Sequence, residues 1–271
     1  MNEGVDPGPV SGTPAELIDT HCHLDDECYA GDLGRVIEDS RARGVNRWIV
    51  VGFAPERWNS TLAVVRQVPG MSHMLGVHPS YADDWSPALA AGLESLVAST
   101  HPVAIGEIGI DLFRGETNIS QQLSAFDAQL DLTIDHGVPA VIHMRSAETE
   151  VLRLILSRRT LPHLIFHSFD GSAQLRDVIL DHGFTIGFGG LATKRSADNL
   201  RDVIKTIPLD QIVLETDAPY LTPRGAKGGR NVPGNVAIIA RSLADLLNTS
   251  VTEVATVTTT NAERVFGLTR N

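Results

Sequence analysis

The chain has 271 residues, 42% of them hydrophobic and 20% charged, with a formal net charge of −11. That composition belongs to a soluble globular domain, and the acidic balance excludes non-specific coating of nucleic acid, which needs basic surface to displace counterions. Two cysteines, Cys22 and Cys28, are too few for a disulfide framework and suggest reduced thiols in a reducing compartment.

Residues 1–14 carry Gly, Pro, Asp and Glu without a basic start and apolar run, so they read as a disordered tail rather than a signal or transit peptide. One domain over 15–271 is expected to follow. No stretch approaches the roughly eighteen consecutive apolar residues that cross a bilayer. The expected setting is the cytoplasm, with no membrane and no obligate protein partner.

Short β-branched or apolar runs then recur, over Leu17–His23, Trp48–Phe53, His73–Val77, Val103–Ile108, Ala140–His143, Leu164–Phe169, Phe184–Phe188 and Ile212–Thr216. Helical patterns separate them, as at Leu123, Phe126, Leu130 and Ile134, where apolar residues return every three or four positions. Gly137 closes that helix and Pro139 opens the next strand, while Gly44 and Gly183 end two others. The last segments, Val232–Leu247 and Val251–Phe266, read as the eighth helix and one more. Strand-helix alternation without a composition break predicts an α/β fold, a single-domain (β/α)8 TIM barrel.

Barrel enzymes place their chemistry at the carboxyl ends of the strands. His21 and His23 stand two apart near the first such end, where a strand turns both imidazoles to one side. Matching positions on other strands carry His78, Glu107, His143, His167 and Asp217. His73, His101 and His163 fall at or before amino ends, and His136 and His182 at helix ends, so these five are read as surface or capping residues. Imidazoles with carboxylates suit zinc, manganese or another first-row divalent ion, with magnesium possible. Three or four ligands make one ion and five or six make two, the second case needing a bridging carboxylate that Glu107 is placed to supply.

The segments Asp19-Thr20-His21-Cys22-His23-Leu24, Gly106-Glu107-Ile108-Gly109-Ile110-Asp111, Ile142-His143-Met144-Arg145 and Glu215-Thr216-Asp217-Ala218-Pro219-Tyr220-Leu221 closely resemble the signatures of TatD-type metal-dependent deoxyribonucleases. The likeness implies two divalent metal ions, the first held by His21, His23, Glu107 and Asp217 and the second by Glu107, His143 and His167. It also implies that Asp217 orients or deprotonates the attacking water and that His78 contacts phosphate. Arg145, two positions after a ligand, reaches the site, and Arg230 resembles a family segment after the eighth strand that meets phosphate. Ser146, Ser168 and Asp170 depart from the family pattern, and Asp170 adds negative charge near a negative substrate.

The expected function is hydrolysis of DNA phosphodiesters, from a strand end because a closed barrel mouth admits a terminus more readily than a duplex. A small-molecule amidohydrolase or phosphoesterase on the same barrel is the first rival. Many such relatives bridge their metals with a carboxylated lysine, whereas Glu107 stands here and no lysine lies in the eight predicted strands. A non-catalytic metal-binding protein would need no water-activating carboxylate, yet Asp217 is present.

Overall fold

Parallel strands need a crossover between each pair, and the helical segments between the apolar runs supply it. The computed structural model describes residues 16–113, 115 and 118–269; the tail expected over 1–14 lies outside them. Its strands are β1 (Leu17–Cys22), β2 (Val45–Gly52), β3 (Met71–Leu75), β4 (Ala104–Asp111), β5 (Ala140–Arg145), β6 (Leu164–Phe166), β7 (Thr185–Phe188) and β8 (Ile212–Leu214). Each pairs in parallel with the next in chain order. A parallel bridge between Cys22 and Ala218 joins the first strand to the segment after the last, making the (β/α)8 barrel.

The helices are α1 (Leu33–Ala42), α2 (Trp58–Gln67), α3 (Pro87–Thr100), α4 (Ile119–His136), α5 (Glu148–Ser157), α6 (Ala173–His182), α7 (Asp198–Ile204), α8 (Val236–Leu247) and α9 (Val251–Phe266). Ser86, Ser172 and Ser250 cap α3, α6 and α9 by accepting from the backbone N–H three residues on. Gly137 and Gly183 end α4 and α6 in the left-handed region, at φ of 64° and 65°. The eighth helix starts at Val236 rather than Val232, because Pro233–Asn235 first forms a tight 3-10 turn.

Strand limits also differ from expectation. β2 begins at Val45, ahead of Trp48, because the charge of Arg47 breaks the apolar run in the sequence but is paired in the fold with Glu16 and Glu263 at 3.0 and 2.6 Å. β3 begins at Met71, which puts His73 inside it, hydrogen-bonded to Thr100. β6 and β8 stop at Phe166 and Leu214, earlier than expected, as the chain turns through left-handed backbone at Ser168 and Asp217.

Two apolar layers result. The larger lies between strands and helices, where Trp48, Phe126 and Phe166 are fully or almost fully buried. The smaller gathers Ile18, Ile49, Val51, Met74, Ala104, Val141, Ile165 and Val213 with Ala262 and Phe266 of α9. Because strand side chains alternate, this inner layer dictates which residues above it face the axis. Val141 aligns His143 within β5, and Ile165 and Val213 align His167 and Glu215, one residue past the ends of β6 and β8. In β1 and β4 the parity from Ile18 and Ala104 would turn His21 and Glu107 outward. Register shifts intervene in both strands, between Asp19 and Cys22 and between Ile105 and Ile108, and re-aim them.

Replacing the buried Phe126 by Ala should cost about 3–5 kcal/mol of stability, while Leu156→Ala on the exposed face of α5 should change it by no more than about 0.5 kcal/mol. Denaturant melts of the two variants make the check, and equal losses would contradict this packing.

Candidate metal centre

The motif around β1 serves two purposes. Asp19, fully buried, accepts from the Thr216 N–H at 2.9 Å, the Thr216 hydroxyl at 2.6 Å and the His21 N–H at 3.3 Å. Burial raises its pKa to about 8 in spite of those donors. Thr20 donates to the Leu214 carbonyl, and the Asp217 and His23 N–H groups donate across the same seam to the carbonyls of His21 and Ala218. Closing the barrel therefore sets His21 and His23 beside Asp217. Cys22, between them, is buried with its thiol toward the Ile49 carbonyl.

Glu107 lies at the centre and is buried. Its Oε1 is 2.5 Å from His143 Nδ1, 3.8 Å from His78 Nε2 and 3.9 Å from His167 Nε2, while its Oε2 is 3.4 Å from His21 Nε2. Asp217 Oδ1 is 3.1 Å from His23 Nε2 and 3.9 Å from both His21 Nε2 and His167 Nε2. All six expected ligands thus meet at one mouth. An open cavity of about 570 Å³ stands over them, lined by five of the six and by His78 and Arg145, with His21 beneath.

Charge in the site follows from this crowding. Burial opposes ionisation of Glu107, yet His143 and His167 hold it well below the ordinary carboxylate range. Burial likewise opposes charge on those imidazoles, but Glu107 with Asp111 lifts His143 to about 9, and Glu215 with Glu107 lifts His167 to about 10. Positive charge is therefore favoured where these rings meet the carboxylates. Burial lowers His21, and neither of its ring nitrogens has a hydrogen-bond partner among the described residues. An unsatisfied buried polar group costs about 1–3 kcal/mol, so a His21 Nε2 left without a hydrogen-bond partner and facing Glu107 and Asp217 fits a cation between them. The donor set suits a first-row divalent ion.

Three contributors were not singled out from the sequence. Asp111 Oδ2 lies 3.0 Å from His143 Nε2, which leaves Nδ1 as the nitrogen facing Glu107. Glu215 Oε1 lies 3.0 Å from His167 Nδ1 and accepts from the Ser168 N–H at 2.6 Å, leaving Nε2 for the site. Gly187 makes room for that carboxylate, since a Cβ there would fall 2.1 Å from Glu215 Oε2. Asp19, the third, closes the seam. Period-two spacing was the available signal, because Asp19 precedes His21 by two and Glu215 precedes Asp217 by two.

His78 Nδ1 accepts from the Ser80 N–H at 3.0 Å, which puts the ring proton of the neutral imidazole on Nε2, facing Glu107. Burial lowers its pKa to about 4, so the ring is a neutral donor. Arg145 lines the cavity with its guanidinium 3.7 Å above the Phe113 ring. Arg230, expected to meet phosphate, is instead held on Asp32 at 2.5 and 2.7 Å and stacked on Tyr29, outside the cavity lining. Asp170 accepts from the Ser172 N–H and also stays out of that lining. The five set-aside histidines, His73, His101, His136, His163 and His182, are absent from it as well.

Glu215→Gln and Asp111→Asn should each weaken divalent-metal affinity by roughly 10- to 100-fold while the fold is kept. Calorimetric titration of metal into the stripped proteins measures this, and unchanged affinity in both would show that these carboxylates do not orient ligands.

Comparisons with known proteins bear on the family and the fold. A family model described as TatD related DNase matches residues 18–267. A metal-dependent hydrolase named YabD from Bacillus subtilis (strain 168) is 34% identical over 251 residues, covering 92% of this chain and 98% of that protein. A protein from Erwinia tasmaniensis named 3'-5' ssDNA/RNA exonuclease TatD is 33% identical over 261 residues, covering 93% and 100%. The crystal structure of YjjV, a TatD homologue from Escherichia coli K12, superposes with a TM-score of 0.88 at 30% identity, covering 94% of this chain and 99% of that one. Matched by the family model over residues 18–267 and 34% identical to a hydrolase covered over 98% of its length, the chain belongs to the TatD-related DNase family of metal-dependent hydrolases.

Proposed function

We propose that this hydrolase cleaves phosphodiester bonds of DNA from strand ends, using water activated between two divalent ions. The observation that carries the reading is the division of Glu107, whose Oε2 faces His21 while its Oε1 faces His143. One carboxylate with a different imidazole on each oxygen is the donor pattern of a bridge. His21, His23, Glu107 and Asp217 would hold one ion, and Glu107, His143 and His167 the other, with zinc, manganese or magnesium as candidates. Two such ions would lower the pKa of water and neutralise charge on the attacking and leaving oxygens of a phosphodiester.

The protein's own groups supply the rest. Burial works against charge on Asp217, but the hydrogen bond with His23 and the nearby His167 hold its carboxyl below the usual value, so it is ionised and able to take a proton from the attacking water. The Nε2–H of His78 and the guanidinium of Arg145 are donors for phosphate oxygens. The nucleic-acid substrate is supported by the name of the Erwinia relative. Against the amidohydrolase alternative, no lysine among the described residues lines the cavity, and Glu107 takes the bridging place. We place the enzyme in the cytoplasm, where its two free thiols, Cys22 and Cys28, would stay reduced. Among the described residues no helix is long and apolar enough to cross a membrane.

Asp217→Asn should reduce cleavage of end-labelled single-stranded DNA by about 10²- to 10⁴-fold with the circular dichroism spectrum unchanged. His163→Ala, at the opposite end of the barrel, should leave turnover as it is. Chelation should abolish cleavage and added divalent cation should restore it. Undiminished hydrolysis by Asp217→Asn, or by chelated protein free of metal on elemental analysis, would overturn the mechanism.

A further inference from the structure

Four large apolar side chains stand exposed among the described residues, and two of them line the cavity: Phe113, 60% exposed, and Tyr220, 49% exposed. The other two, Leu156 and Leu180, lie on α5 and α6 and do not line it. Phe113 follows β4 and Tyr220 follows β8. Those strands are four apart in an eight-stranded ring, so the two aromatics rise from opposite walls of the mouth with Glu107 and Asp217 between them.

Both are held by their backbones rather than by burial of their rings. The Tyr220 N–H donates to the Asp217 carbonyl at 2.7 Å, its carbonyl accepts from Asn231 Nδ2 at 2.6 Å, and its ring lies 5.6 Å from that of His23. The Phe113 N–H donates to Asp111 Oδ1 at 2.9 Å, and Arg145 covers one face of its ring, leaving the remainder exposed. Each platform is thus pinned to a residue of the metal centre or its outer carboxylates. With the backbone held in this way, only the two side-chain torsions of each ring are left to order when a flat partner binds.

We propose that Tyr220 and the Arg145-backed Phe113 are base-stacking platforms that grip nucleobases on either side of the scissile phosphodiester, which makes an unpaired strand end the substrate. The inference rests on the phosphodiester reading above and adds the source of affinity and strand selectivity. A chain of net charge −11 with a carboxylate-rich floor gains little from general phosphate attraction. Stacking is the alternative, worth about 1–3 kcal/mol per base and tolerant of sequence because every base has a π-face. Platforms on opposite walls require neighbouring bases to splay apart, which a paired duplex resists and a free end allows.

The test offers metal-loaded protein three substrates: a short single-stranded oligonucleotide, the same strand with abasic sites at its terminal two nucleotides, and a blunt duplex. Wild type should favour the first, with KM for the abasic strand roughly 5- to 100-fold higher. Tyr220→Ala and Phe113→Ala should raise KM for the intact strand by a similar factor and bring the intact-to-abasic ratio toward one, whereas Tyr220→Phe should keep the preference. Fluorescence anisotropy with a phosphorothioate strand should show the same losses in binding, and Leu156→Ala should show none. A wild type indifferent to missing bases, or an unchanged KM in both alanine variants, overturns the stacking role while leaving phosphodiester hydrolysis intact. A wild type that cleaves none of the three overturns both readings.

Discussion

A carboxylate buried at the barrel axis among imidazoles is the constraint around which this molecule is organised. Removing a charge from water costs several kcal/mol unless partners replace the lost solvation, and Glu107 has nitrogens of His21, His78, His143 and His167 within 4 Å. Those partners come from four other strands or their ends, so the site exists only when the ring is closed. The register shift that turns Glu107 inward interrupts the ladder of β4. Gly109, at φ of 140°, lets that strand pass the His143 carbonyl where a Cβ would fall 2.0 Å away.

The same economy appears at the seam. Asp19, Thr20 and Thr216 close β1 against the β8 segment, and the residues they bring together, His21, His23 and Asp217, are three of the six proposed metal ligands. Barrel closure and site assembly are one event at this edge. Asp111 at the end of β4 and Glu215 just after β8 fix which nitrogen of His143 and His167 faces inward. Ligand orientation therefore depends on carboxylates that themselves lie outside the proposed metal contacts.

Electrostatics separate the site from the rest of the surface. The chain is acidic overall, while the neutral donor of His78 and the guanidinium of Arg145 face the cavity. Arg230 shows how a basic residue near a mouth can be lost to the substrate, since its guanidinium is committed to Asp32 and Tyr29. Affinity for a polyanion in such a protein has to come from a few placed donors and from aromatic faces rather than from a basic field.

Much of this was legible in the chain itself. Alternating apolar runs and helical spacing are local consequences of backbone geometry, so strand-helix order and the barrel could be read from residues close in sequence. The six candidate ligands were legible for a related reason: they are polar residues at or near the carboxyl ends of apolar runs, a break in pattern that hydrophobic burial alone would not produce. Strand limits at Arg47, Ser168 and Asp217 were not, because partners far along the chain decide whether a residue stays in the ladder. The same holds for the register shifts that re-aim His21 and Glu107, the nitrogen that His143 presents, and the capture of Arg230 by Asp32. Periodicity fixes which side chains share a face of one strand, but only contacts between strands decide where that face points and which donors and acceptors remain free.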